Sequence, residues 1–229
     1  MSVGVVLTEN WRRAYPGAMV GILAMRGLVN PDLDTALKDH AAQVEAQIRA
    51  RFAGLTRTQL TAVPTLQAYA SYYKRFGKTY HVQLQLESVL FKGKSITGPC
   101  AIVQAMFMAE LKNQMLTAGH DLEAVQGGIA IDVSLGTERY TLLSGGGQTL
   151  KPGDMFIRDE EGILSSIIHG PDQRTRITSQ TRAALFTVYA PAGIPIADLK
   201  IHLSDLETNL RVFAPRAEVV TGEIFAAAQ

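Results

Sequence analysis

Hydrophobic positions change period about half-way along the chain. Up to about residue 116 they recur mainly at helical spacing; beyond it they alternate, as strands with one buried face do. Val3 to Leu7 and Met19 to Met25 read as short buried strands, joined by a segment carrying Trp11, Arg12, Arg13 and the turn pair Pro16-Gly17. Asn30-Pro31-Asp32 marks a helix start, with proline in the first turn, where its missing N–H costs nothing. Leu33, Leu37, Val44, Ile48 and Phe52 then recur at helical spacing, and Asp34/Lys38 and Glu45/Arg49 form i,i+4 pairs on the opposite face. His40 reads as a face residue. A second helix after Pro64 sets Leu66, Tyr69, Ala70 and Tyr73 on one side. Residues 82 to 91 fit both periods: Val82, Leu84 and Leu86 alternate, while Val82, Leu86, Val89 and Leu90 share a helix face. Thr97-Gly98-Pro99 opens the clearest helix, expected to reach about Leu116 with a broad apolar side.

Past that point Ile129, Ile131, Val133 and Leu135 alternate with polar or small residues. Further strands are predicted at Tyr140 to Leu143, Met155 to Arg158, Ile163 to Ile168 and Ala184 to Tyr189, punctuated by glycine- and proline-containing turns. Leu199, Leu203, Leu206 and Leu210 predict a final helix, and the tail from Pro215 a strand. Helices gather in the first half and near the end, strands in the third quarter. This ordering predicts an α+β fold rather than a doubly wound parallel sheet.

Composition narrows the function classes. With 229 residues, 47% hydrophobic and a formal net charge of +1, the chain is long enough for one large domain or two small ones sharing a core, and a single domain spanning 1–229 is the expectation. The balanced charge argues against a protein that holds nucleic acid chiefly by neutralising phosphates, although local basic clusters keep RNA contact open. The single cysteine, Cys100, lies in an apolar helical context and reads as an inert core thiol in a reducing compartment. No apolar run spans a bilayer and no leader pattern opens the sequence, so a soluble, cytoplasmic protein without a membrane partner is expected.

Candidate chemistry falls in three places. The stretch 116–131 joins the long helix pattern to the strands and carries Thr117, His120, Asp121 and Glu123; a helix end feeding a sheet through a turn is a common site position. The loop 169–182 carries Asp172, Gln173, Arg174, Thr175, Arg176 and Thr178, whose arginines either fork onto a carboxylate or phosphate or form a solvated hairpin end. Tyr73, Lys74, Arg75 and Lys78 combine aromatic and basic groups, as RNA-binding surfaces do. The same residues also read as a helix end whose cations complement the dipole, with Gly77 just past it. The five histidines fall in no metal-binding arrangement, so no metal or cofactor is expected. No GxSxG surrounds Ser165 or Ser166, and no P-loop follows the triple glycine at Gly145 to Gly147.

In this order YYKRFGK, LESVLFKGK, GHDLEAVQGG, KPGDMFIRDEEGILSS and RTRITSQTRAALFTVYAP resemble the editing (B3/B4) domain of the bacterial phenylalanyl-tRNA synthetase β chain, and more closely its free-standing relatives. The resemblance covers roughly residues 64 to 191. It implies a three-layer α+β domain with two packed β-sheets and flanking helices, and it makes residues 82 to 91 a helix. In that family the domain hydrolyses tyrosine esterified to the wrong tRNA. The family's Leu-His-Ala-Phe-Asp motif falls on Thr117, Ala118, Gly119, His120 and Asp121, so its histidine is replaced by Ala118. Its Gly-Gly-Glu-His-Ser loop falls on Pro171 to Thr175, where the glutamate becomes Gln173, and a later threonine is kept as Thr181.

Three functions follow as expectations. One is hydrolysis of a misacylated tRNA in trans, with His120, Asp121, Asp172 and Gln173 near the ester and Thr117, Glu123, Arg174, Thr175, Arg176 and Thr178 binding substrate. Another is a non-catalytic RNA-binding module using Tyr73, Lys74, Arg75 and Lys78. The last is a pocket for an amino acid or related metabolite, with Arg176 on its carboxylate. No synthetase catalytic motif is present, so complete aminoacylation is not expected.

Overall fold

The computed structural model describes residues 3–31 and 34–227. In chain order, β1 (Val5–Leu7), α1 (Glu9–Ala14) and β2 (Met19–Arg26) precede a run of helices: α2 (Thr35–Arg51), α3 (Arg57–Thr61), α4 (Pro64–Lys74), α5 (His81–Lys92) and α6 (Ala101–Asn113). β3 (Thr117–Asp121) and a short 3-10 turn (Leu122–Ala124) lead into β4 (Ile129–Val133), β5 (Arg139–Thr141), β6 (Gly147–Thr149), β7 (Met155–Arg158), β8 (Ile163–Ser166), β9 (Gly170–Pro171) and β10 (Ala183–Ala190). α7 (Ile196–Arg211) and β11 (Glu218–Ala226) close the described chain.

The fold is α+β. Its strands form a five-stranded sheet ordered β1-β4-β7-β8-β9, a four-stranded sheet ordered β11-β2-β10-β3, and the β5–β6 hairpin. β1 joins β4 in parallel, whereas the four-stranded sheet is antiparallel throughout. β10 is buried along its whole length and β2 along all but its last residue, because helices cover one face of their sheet and the five-stranded sheet the other. α7 lies close on β2 at Gly21, where a Cβ would sit 3.1 Å from a Leu199 methyl. The layers are therefore α6 and α7, the four-stranded sheet, and the five-stranded sheet.

Local chemistry sets several boundaries differently from the sequence patterns. The helix expected from Asn30-Pro31-Asp32 begins instead at Thr35, capped by the Asp34 carboxylate, which accepts from the Leu37 N–H at 2.8 Å. Asp34 is thus a cap rather than half of an ion pair; Asp32 and Leu33 lie outside the described residues. The Asn30 side chain donates to the Thr178 carbonyl at 2.6 Å and accepts from the Ile102 N–H at 3.0 Å, tying the start of α6 to the loop 169–182. Glu45 pairs with Arg49 at 3.2 Å, but it is buried and also accepts from the Ile96 N–H at 2.7 Å. Residues 9–14 form a helix that no periodicity announced: Thr8 caps it, and its buried Trp11 directs the indole N–H to Met155 Sδ at 3.2 Å. α5 confirms the helical reading of residues 82–91, with Val82, Leu86 and Val89 buried and Leu84 exposed.

The long helix is shorter than its apolar pattern. α6 stops at Asn113 because Gln114 takes a left-handed conformation (φ 56°), its N–H returning to the Glu110 carbonyl. Thr117 to Asp121 are consequently strand residues paired with β10, not a turn at a helix end. Cys100 is buried at the start of α6. Among the described residues no helix is long and apolar enough to cross a membrane.

Candidate ligand-binding site

β3 is an edge strand. It pairs with β10 on one side, and along the other runs a cavity of about 330 Å³ between α6 and the β8–β9 segment. Val103, Met106 and Phe107 from α6 make one apolar wall, and Leu116, Ile177 and the hairpin-tip Leu143 add to it. Such a predominantly apolar, small concave space with a few convergent polar groups is the usual form of a small-molecule site.

Four polar side chains give this cavity its character. Glu110, on the cavity wall, is almost fully buried, and its Oε1 accepts from the Thr117 N–H at 2.7 Å. Burial pushes its carboxyl up to about 8, against the pull of that N–H. The Thr117 hydroxyl pairs at 2.8 Å with the Nε2 of His202, buried on α7. Tyr73 donates its single hydroxyl proton to the Ile167 carbonyl at 2.8 Å and lies 3.2 Å from His81 Nδ1, so there it accepts. Nδ1 of His81 carries the proton, therefore, and Nε2 is left as a bare acceptor; burial lowers the ring's pKa and keeps it neutral near pH 7. The fourth group is Arg176, exposed at the cavity mouth, where no described residue pairs with it.

A second, more polar groove of about 680 Å³ adjoins the first and shares Arg176 with it. Of the first sequence cluster only Asp121 lines it, beside Asp172, Gln173, Arg174, Arg176 and Thr178 of the second. Several of these side chains are already committed to the fold. Arg174 Nη2 donates to both oxygens of Asp159 at 2.9 Å, and Nη1 to the Ala124 carbonyl at 2.8 Å. Burial pushes Asp159 upward, but hydrogen bonds from Gln126, Gly162, Arg174 and Glu161 outweigh it and hold the carboxyl below its ordinary value. Asp121 accepts from the Thr181 hydroxyl at 2.7 Å and caps the 3-10 turn. Asp172, buried, accepts from the N–H and hydroxyl of Thr175, and burial raises its pKa.

Other expected site residues are placed elsewhere. His120 is fully buried between the two sheets, with Nδ1 2.8 Å from the Thr175 hydroxyl and Nε2 3.2 Å from that of Ser165. Burial first, and then the Arg174 charge, drive its pKa down to about 3, so the 3.9 Å approach to Asp172 is not an ion pair at neutral pH. It lines neither cavity, and neither does the buried Thr175; a sealed imidazole has no path to a bound ester. Glu123 is exposed and lines neither cavity. Tyr73 is buried among Tyr72, Tyr80 and His81, which removes it as a base-stacking platform. Lys74, Arg75 and Lys78 are exposed, and Arg75 lies over the rings of Tyr15, Tyr72 and Phe76 at 5.3 to 5.7 Å. Among the described residues no three His, Cys, Asp or Glu side chains gather to hold a metal.

No protein-family model matches the sequence, and no curated protein gives a significant match. Among solved structures, the chain is similar to an N-terminal fragment of the phenylalanyl-tRNA synthetase β-subunit from Pyrococcus horikoshii, at 16% identity and a TM-score of 0.49. That match covers 98% of this chain and 50% of the fragment, so the chain spans about half its length.

Sequence reasoning missed His81, Glu110 and the main chain of Gly119 as cavity groups. Glu110 did leave a signal, as a lone acid inside the apolar run AIVQAMFMAEL. His81 and Gly119 left none, because their role depends on which edge of which strand stays unpaired.

Proposed function

We propose that the chain binds a small, mostly apolar carboxylic acid of amino-acid type in the cavity along β3. The observation that carries this reading is Arg176, a guanidinium without a partner among the described residues at the mouth of an apolar cavity. A planar fork of donors matches a carboxylate, and an apolar interior matches a hydrocarbon side chain. The bare Nε2 of His81 supplies an acceptor for an ammonium group. The test is a melting-temperature and calorimetric screen of free amino acids and their deaminated analogues against the wild type and Arg176→Ala. Binding that depends on Arg176 supports the reading, and no binding across the panel rejects it.

A second reading, RNA contact, draws support from one specific face. Lys74, Arg75, Lys78 and Lys151 are exposed there, and the charges of Lys78 and Lys151 together help to lower the pKa of His169, behind burial as the larger cause. Hydrolysis of an aminoacyl ester has weaker support: His120 is sealed away, Gln173 carries no titratable proton, and Ala118 stands at the position where the resembling family has histidine.

A further inference from the structure

An antiparallel strand turns its main-chain groups alternately toward and away from its partner. Thr117 and Asp121 aim their N–H groups away from β10, and each finds a partner within the fold, the Glu110 carboxylate and the Thr175 carbonyl, both at 2.7 Å. Gly119 stands between them in unbroken register with Phe186, so its N–H and C=O point the same way. β3 pairs with no strand other than β10, and among the described residues no side chain and no loop or helix main chain hydrogen-bonds to either group. Gly119 has no side chain, so its place in the cavity wall is made by main-chain atoms alone. A strand edge that faces a cavity keeps a main-chain donor and acceptor for whatever occupies that cavity.

We propose that the N–H and C=O of Gly119 are the recognition edge of this cavity, taking a residue-sized ligand that carries an acceptor and a donor on neighbouring atoms, as an α-amino acid does. The proposal rests on the cavity reading above and names the atoms that make it selective. The ligand's carboxylate meets the Gly119 N–H and the Arg176 guanidinium; its ammonium meets the Gly119 C=O, with His81 Nε2 as a further acceptor. Ile177, whose Cδ1 would lie 2.8 Å from a Cβ at Gly119, brings the Arg176 segment over the sheet face at this residue. The same geometry excludes a longer peptide. Strand addition needs every second residue of an edge to be free, and both outward neighbours of Gly119 are occupied.

The experiment titrates the isotope-labelled full chain with L-phenylalanine, L-leucine and hydrocinnamate, following backbone amide resonances, the Arg176 side chain and amide exchange. The expected result is that at least one amino acid shifts the Gly119 amide, slows its exchange and binds about tenfold more tightly than hydrocinnamate, the effect of one charge-assisted hydrogen bond. An amino acid that shifts Arg176 but leaves the Gly119 amide unmoved overturns the proposal and leaves the cavity reading standing. Hydrocinnamate binding as tightly as phenylalanine overturns the donor half. If none of the three probes moves Arg176 or Gly119, the cavity reading falls, and this proposal with it.

Discussion

The imidazole of His120 on β3 reaches the hydroxyl of Ser165 on β8 at 3.2 Å, a hydrogen bond that crosses from one sheet to the other. Ser165 passes the contact on to the Tyr189 hydroxyl at 2.9 Å, and His120 holds Thr175 through its other nitrogen. The network fastens the two sheets together. His120→Ala should therefore lower unfolding stability by about 2–4 kcal/mol, through a cavity and stranded hydroxyls, while leaving ligand affinity within about twofold. Denaturant melts and calorimetry check both. The pH sign is also set: the folded pKa of about 3 lies below the ordinary 6.5, so the unfolded state binds more protons between them and stability falls as pH drops through that window. His120→Ala should weaken that fall.

Arg176 should matter for binding and hardly for stability. Arg176→Ala removes an exposed guanidinium with no partner among the described residues, so the unfolding free energy should stay within the roughly ±0.5 kcal/mol band of surface substitutions. Affinity for a carboxylate ligand should fall about 10- to 100-fold. Equal affinity in the variant would place the carboxylate elsewhere.

Glu110 links the cavity to pH. Its folded pKa of about 8 exceeds the ordinary 4.5, so the stability tied to its proton is complete below pH 4.5 and is lost as pH rises toward 8. Melting temperature followed from pH 5 to 8 should carry a downward component that Glu110→Gln removes. The same variant keeps an acceptor for the Thr117 N–H, so it should fold. An unchanged pH profile would mean Glu110 is already ionised at neutral pH.

Arg174 is a structural arginine. Removing it leaves the Asp159 carboxylate, both of whose oxygens accept from its Nη2, without its counter-ion. Arg174→Ala should cost about 3–5 kcal/mol, as breaking one side of a buried pair does. A loss below about 1 kcal/mol, the range of exposed pairs, would show the pair to be solvated.

RNA contact has its own signature. If the basic face binds RNA, Lys78→Ala and Lys151→Ala should each weaken a single-stranded probe and reduce the slope of affinity against salt by about 0.7. A slope that neither variant changes would remove this face from consideration.

The sequence alone determined the α+β class, the strand-rich half after residue 116 and the cores of most helices, because these follow from hydrophobic period and turn residues, which are local. Its resemblance to a known family resolved residues 82–91, where period could not. Boundaries slipped where one side chain or one φ decided them: the Asp34 cap, and Gln114 ending α6 before its apolar run was spent. The site was partly legible. Asp121, Asp172, Gln173, Arg174, Arg176 and Thr178 do share one groove, and Arg176 does stand free at a cavity mouth. What tertiary structure decided was exposure and partnership. His120 and Arg176 look equally functional as letters, yet β3 pairing turns the neutral imidazole into the space between two sheets, while a loop leaves the guanidinium without a partner among the described residues. Strand pairing also decided that the Gly119 peptide stays unpaired, a property of an edge and therefore of no single residue.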